Sequence, residues 1–144
     1  MRGRCIEDNV NIDRLIGATI ENVITKDELA GEDYFFGKVI LAIKTTRGTM
    51  YFSRDDVLGD EVFLEDGLDE LKKMIGEEIK DAYESFNDDY QDDENKYTFY
   101  NISTHNHSTS LRFYLTWDNY YSESMTLYWE ENQAHADYVN KFFN

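Results

Sequence analysis

Hydrophobic and polar residues alternate along much of this chain with the period of two that marks a half-buried β-strand. The clearest stretch is 108–117, where Leu111, Phe113, Leu115 and Trp117 interleave with Ser110, Arg112, Tyr114 and Thr116. Residues 20–25, 39–46 and 49–53 are rich in β-branched or aromatic side chains and read as strands, with Arg47-Gly48 as a hairpin turn between the last two. Val62 and Leu64 alternate around Phe63 before a break at Glu65-Asp66-Gly67. Residues 96–104 and 120–130 are also strand-like. The turn signals around Asn106 and at Asp118-Asn119 predict that these two strands and 108–117 form a meander.

Helical spacing is confined to two places. Leu68, Leu71, Met74 and Ile75 recur with a helical period, and Gly76 stands where a helix C′ glycine belongs. Near the end, Ala134, Tyr138, Val139 and Phe142 predict a closing helix over 133–143. The sequence also echoes itself, because Asp13-Arg14-Leu15-Ile16-Gly17-Ala18-Thr19-Ile20 parallels Lys72-Lys73-Met74-Ile75-Gly76-Glu77-Glu78-Ile79. Two copies about 59 residues apart are too few and too far apart for a solenoid. They mark either two related halves of one sheet or the recurrence of a glycine cap. The predicted class is α+β, a mainly antiparallel twisted β-sheet with one or two short helices. A single domain is expected over 1–144, with a mobile N-terminus at about 1–8 and an acidic loop at about 87–95.

Composition narrows the class. The 144 residues match one domain, and 15% aromatic content argues against a disordered acidic tail. Proline is absent, which excludes Pro-rich recognition segments. The single Cys5 excludes an intrachain disulfide framework and a multi-cysteine zinc site, and is expected to be a reduced thiol with no catalytic role. No run of 18 apolar residues and no apolar N-terminal h-region occur, so the expectation is a protein neither membrane-spanning nor exported by a signal peptide.

Charge changes the picture most. Thirty acids against fourteen bases leave −16. Such a chain repels nucleic-acid phosphates and anionic membranes, so no direct nucleic acid and no membrane partner are expected. It attracts basic protein surfaces, including those whose usual ligand is nucleic acid. Residues 55–94 hold seventeen acids and three lysines, fourteen of the sixteen net charges. Within this block Asp88, Asp89, Asp92, Asp93 and Glu94 fall in seven residues. Extended at about 3.4 Å per residue, that is roughly one charge per 5 Å, against one phosphate per about 3.4 Å of a DNA strand. Asp81 and Glu84 offer a second row, and Tyr90 a ring to stack on an arginine. The plain alternative is a solvated acidic face that keeps the protein soluble.

In Val62-Phe63-Leu64-Glu65-Asp66, in Leu68-Asp69-Glu70-Leu71 with Ile75-Gly76 and Ile79, and in Tyr97-Thr98-Phe99-Tyr100-Asn101-Ile102-Ser103-Thr104, the chain resembles a family of phage and prophage proteins built around a domain of unknown function. Tyr120-Tyr121-Ser122-Glu123-Ser124 closes the match, and Ile16-Gly17-Ala18-Thr19-Ile20 looks like the family's opening strand. The order and rough spacing agree, but cysteines associated with the segment before Val62 are replaced by Gly59-Asp60-Glu61, and 132–144 run past the usual end. The resemblance implies a phage-encoded protein acting in a bacterial cytoplasm. It brings no activity with it.

Candidate chemistry is sparse. Residues 87–95 are rich in the carboxylates and amides that calcium prefers, yet an EF-hand loop starting at Asp88 would place Asp93 where glycine is needed and Phe99 where glutamate is needed. His105-x-His107 has a spacing that chelates zinc or nickel, but reads better as a turn with exposed histidines. Glu78-Ile79-Lys80 with Asp66 or Asp69 faintly matches the carboxylate–lysine set of metal-dependent nucleases, in a neighbourhood hostile to DNA. No nucleophile elbow, phosphate loop or dinucleotide fingerprint is present, and Ser103, Ser108 and Ser110 flank the histidines without defining a triad. One of Tyr120 and Tyr121 is expected in the core. The leading expectation is therefore a non-enzymatic protein without cofactor or metal. It would bind and inhibit a basic host protein surface, plausibly that of a nucleic-acid-binding defence factor, through Asp81, Glu84, Asp88, Asp89, Tyr90, Asp92, Asp93 and Glu94. The alternatives are a binder of a nucleotide signal using Arg112 and Tyr114, or acidity that serves only solubility.

Overall fold

The computed structural model describes residues 6–25, 38–54, 62–86, 98–115 and 125–132. In chain order the strands are β1 (Ile6–Glu7), β2 (Ile20–Thr25), β3 (Lys38–Thr45), β4 (Gly48–Arg54), β5 (Val62–Asp66), β6 (Ile79–Phe86), β7 (Thr98–Thr104), β8 (Ser108–Leu115) and β9 (Thr126–Glu131), of which β1 falls in the segment where no strand is expected. All pairings are antiparallel. Helix among the described residues amounts to a 3-10 turn at Ile12–Leu15 and one six-residue helix, α1 (Leu68–Lys73). The segment 133–143, where a closing helix is expected, lies outside the described residues, as do Cys5, Asn87–Asn95 and the Tyr120–Ser124 motif.

The strands form two sheets rather than one. The first runs β1-β9-β4-β3-β2 and the second β5-β8-β7-β6. A single core joins them, in which Phe52 of β4 packs edge-on against Tyr100 of β7 at 5.4 Å and stacks with Phe113 of β8 at 5.6 Å. The Tyr100 hydroxyl lies 2.6 Å from the Met125 amide, whose N–H donates to it, and 3.3 Å from the Met125 carbonyl. These bonds satisfy a buried phenol, which would otherwise be costly to enclose.

The expected meander stops after two strands. Strands β7 and β8 form the hairpin, but β5 occupies the other edge of β8, from Val62 opposite Leu115 to Asp66 opposite Arg112. With both edges of β8 taken, β9 crosses to the first sheet and lines β4 from Ser53–Thr126 to Gly48–Glu131. Gly48 makes this possible, because a Cβ there would sit 2.6 Å from the Glu130 carbonyl oxygen and from the Trp129 ring. Two further differences concern the ends of elements. Of the terminal segment 1–8, Ile6 and Glu7 are held against β9. Gly76 lies one residue past the C′ position, because α1 is capped by Met74, and Ile75 is 43% exposed rather than in the core.

The internal echo is a duplication of structure. With Ile20 placed on Ile79 and Thr45 on Thr104, β2, β3 and β4 fall on β6, β7 and β8, and the 3-10 turn falls on the end of α1. Both first strands carry an irregularity at the same place, between Ile20 and Asn22 and between Ile79 and Asp81. The second turn is capped by the same threonine in each copy. The Thr45 hydroxyl accepts from the Arg47 and Gly48 amides, as Thr104 does from those of Asn106 and His107. The core positions correspond as well: Leu15 with Met74, Val23 with Ala82, Leu41 with Tyr100, Ile43 with Ile102, and Phe52 with Leu111.

The two copies meet through reciprocal backbone bonds. Gly17 N–H donates to the Ile79 carbonyl at 2.8 Å, and Gly76 N–H to the Ile20 carbonyl at 2.7 Å. Ile79 N–H donates to Ala18, and Ile20 N–H to Glu77, with the Thr19–Glu78 bridge between them. This exchange is what a local two-fold produces. Gly17 and Gly76 both have φ near +90°, a left-handed conformation that side-chain-bearing residues seldom adopt, which explains why glycine stands at both. The repeat therefore opens two different sheets, not two halves of one.

Candidate functional site

In an antiparallel sheet, directly opposed residues share a face, so the register shows what each face carries. The outer face of the second sheet has the row Tyr83–Asn101–Ser110 and, beside it, the row Asp81–Ser103–Ser108. Together these six line a shallow open trough of about 340 Å³. Asn101 organises it. Its Nδ2 donates to the Ser85 hydroxyl at 2.8 Å and the Tyr83 carbonyl at 3.3 Å, and its Oδ1 accepts from the Ser110 hydroxyl at 2.6 Å. One oxygen of Asp81 accepts from the Ala82 amide at 3.0 Å. The Tyr83 ring stands 52% exposed at the trough's border.

The equivalent face of the first sheet is built from the same backbone with different side chains. There the matching row is Ile24–Ala42–Tyr51, continued by Tyr128 of β9. It forms a second apolar cluster with Val39, and Ala42 and Tyr51 are only 0% and 5% exposed. The Tyr51 hydroxyl donates to Glu130 at 2.7 Å. One copy of the repeat has closed its outer face, and the other has kept it polar and open.

The expected acidic second row does not form. Asp81 opposes Ser103 on the outer face, whereas Glu84 opposes Tyr100, whose side chain is in the core. A separation of three along a strand puts two residues on opposite faces. Asp88, Asp89, Tyr90, Asp92, Asp93 and Glu94 lie outside the described residues. Their place in the chain is nevertheless clear: Phe86 and Thr98 are the last paired residues of the β6–β7 hairpin, so this segment connects those strands.

A second polar cluster sits at the opposite end of β7. Glu77 receives a short hydrogen bond from the Thr104 hydroxyl, and both its oxygens lie 3.0 Å from His107 Nδ1. A carboxylate only accepts, so Nδ1 carries the proton in this contact. The Thr104 bond, followed by the bond and charge of His107, holds the Glu77 carboxyl below its ordinary value. Glu78 is likewise lowered, by Lys80 Nζ at 2.8 Å. His105 and His107 lie in a turn rather than along a strand, and His107 is engaged by Glu77. Glu78 and Lys80 form a surface ion pair. Among the described residues, no three His, Cys, Asp or Glu side chains are placed to hold a metal ion.

Arg112 opposes Phe99 on one side and Asp66 on the other, so its nearest neighbour in register on β5 is a carboxylate. No described helix is long and apolar enough to cross a membrane. What fold and site define together is an antiparallel two-sheet protein made from two copies of a turn-and-meander unit, with one open polar face. Comparison with known proteins adds no relative: no family model, curated protein or solved structure matches the chain. The sequence reading singled out Asp81 but missed the trough. Tyr83, Asn101 and Ser110 are scattered over three strands, and the one available signal was the polar half of the alternation on β7 and β8.

Proposed function

We propose that this is a non-enzymatic, phage-encoded acidic protein of the bacterial cytoplasm that binds and inhibits a basic host protein. A nucleic-acid-binding defence factor is the partner that the charge favours. The observation that carries this reading is where the charge falls. The segment with Asp88, Asp89, Asp92, Asp93 and Glu94 connects β6 to β7, the two strands that also supply most of the open face. That concentration of charge attracts a basic partner, and the described open face of the same strands is polar and solvent-facing. Attraction of this kind accelerates association and is screened beyond about 8 Å at physiological salt.

The test begins by capturing partners from bacterial lysate at low salt and purifying each one. Affinity is then measured for the parent protein and for a variant with Asp88, Asp89, Asp92 and Asp93 changed to Asn and Glu94 to Gln. The expected result is binding that weakens steeply with salt, falls at least about tenfold in the variant, and displaces nucleic acid from the partner. Unchanged affinity in the variant at low salt would reduce the segment to a solubilising connection and end this reading.

A further inference from the structure

We infer that the trough on the open sheet receives an arginine side chain presented by the partner. This inference rests on the basic-partner reading and adds the chemical group that is recognised. It follows from counting donors and acceptors. Asn101 uses its donors on Ser85 and Tyr83 and takes the proton of Ser110, so the Ser110 oxygen has only lone pairs left to offer. Asp81 uses one oxygen on Ala82, which leaves the other available. The trough therefore presents one carboxylate, the Ser110 lone pairs and the Tyr83, Ser103 and Ser108 hydroxyls, which accept as readily as they donate, and no described cationic residue lines it.

A guanidinium is the complement of such a surface. It has five N–H donors in a planar fork, no acceptor, and a permanent positive charge. It also stacks on aromatic rings, and the Tyr83 ring is exposed at the trough's border. A phosphate-bearing ligand would meet the Asp81 carboxylate with no described cation in the trough to offset it, and be repelled. A lysine ammonium would satisfy Asp81 but lacks the flat face that stacks on Tyr83. The duplication serves as an internal control. On the same backbone, Ile24, Ala42 and Tyr51 make a buried apolar row, so the open polar row is a property of these side chains and not of the fold.

The experiment uses the isotopically labelled full chain and three capped tripeptides, Gly-Arg-Gly, Gly-Lys-Gly and Gly-citrulline-Gly, followed by NMR, with maltose as a sugar probe. The arginine peptide is expected to shift the signals of Asp81, Tyr83, Ser103 and Ser108 saturably. The lysine peptide should bind about three- to fivefold more weakly, and citrulline not measurably. Asp81→Asn and Tyr83→Ala should each weaken arginine binding about three- to fivefold with Tm unchanged, since both side chains are exposed. Shifts confined to 87–95, or equal binding of lysine and arginine, would overturn the trough site. A saturable response to maltose and none to arginine would overturn it too, and make the trough a sugar site. Failure of the basic-partner reading is separate, because it appears as unchanged partner affinity when the acids at 88–94 are neutralised.

Discussion

The two halves of this molecule share a backbone plan and differ in what they show to solvent. Each begins with a helical turn, passes a left-handed glycine, and continues into three antiparallel strands with an irregularity at the same step. The corresponding core positions are apolar in both, from Ile20 and Ile79 to Ile43 and Ile102. Outward positions have separated, to Ile24, Ala42 and Tyr51 in one and Tyr83, Asn101 and Ser110 in the other. The lesson is that the shared core maintains the architecture, so the features of one copy alone point to function. On that criterion the open face of the second sheet is the informative surface.

The harshest way to break the comparison is to remove the ring that joins the halves. Phe52→Ala deletes a fully buried side chain that touches Tyr100 and Phe113 of the other sheet. A loss of about 3–5 kcal/mol is expected in urea unfolding, with both sheets melting together because they share that core. Independent unfolding of the two sheets would contradict the shared core.

A subtler test exchanges the outer faces at one position. Ala42→Asn buries an amide at a fully enclosed position within an apolar cluster, and should cost about 2–4 kcal/mol. Asn101→Ala, the reverse change at the equivalent position, removes three side-chain hydrogen bonds on an open face and should cost only about 1 kcal/mol. Equal losses in the two variants would mean that the faces differ less in closure than their burial indicates.

The smallest effect concerns the turn at the end of β7. Because the folded state holds the Glu77 carboxyl below its ordinary value of 4.5, its contribution to stability is present above that value and is lost as pH falls through the folded one. Glu77→Gln should therefore lower Tm near neutral pH, with the difference from the parent shrinking on acidification below 4.5. The equivalent of Glu77 in the first copy is Ala18, so no counterpart is expected there. A difference in Tm that stayed constant across the acid range would show that Glu77 acts through packing instead.

Much of this architecture is legible in the residues. The alternation along β7 and β8, the β-branched runs of β2 and β3 and the Arg47-Gly48 turn each follow from local preference, which acts over a few residues and is written there. β6 was harder to see, with the acid-rich Lys80-Asp81-Ala82-Tyr83-Glu84 giving little alternation, because it is an edge strand. The repeat was visible only around its glycines, where the left-handed turn constrains residue type. Elsewhere the copies keep apolar character and not identity, as Leu41 and Tyr100 do.

By itself, then, the sequence determined the antiparallel strands, the negative charge and its concentration in 55–94, and the two glycine-stopped turns. Tertiary structure alone decided that β9 pairs with β4 and not with β8, whose two edges are held by β5 and β7. It also decided that Asp81 and Glu84 part to opposite faces, and that Tyr83, Asn101 and Ser110 meet in one row. Strand partners and register are set by edges and faces far apart in the chain, and no local pattern specifies which of several edges will be free when the core closes.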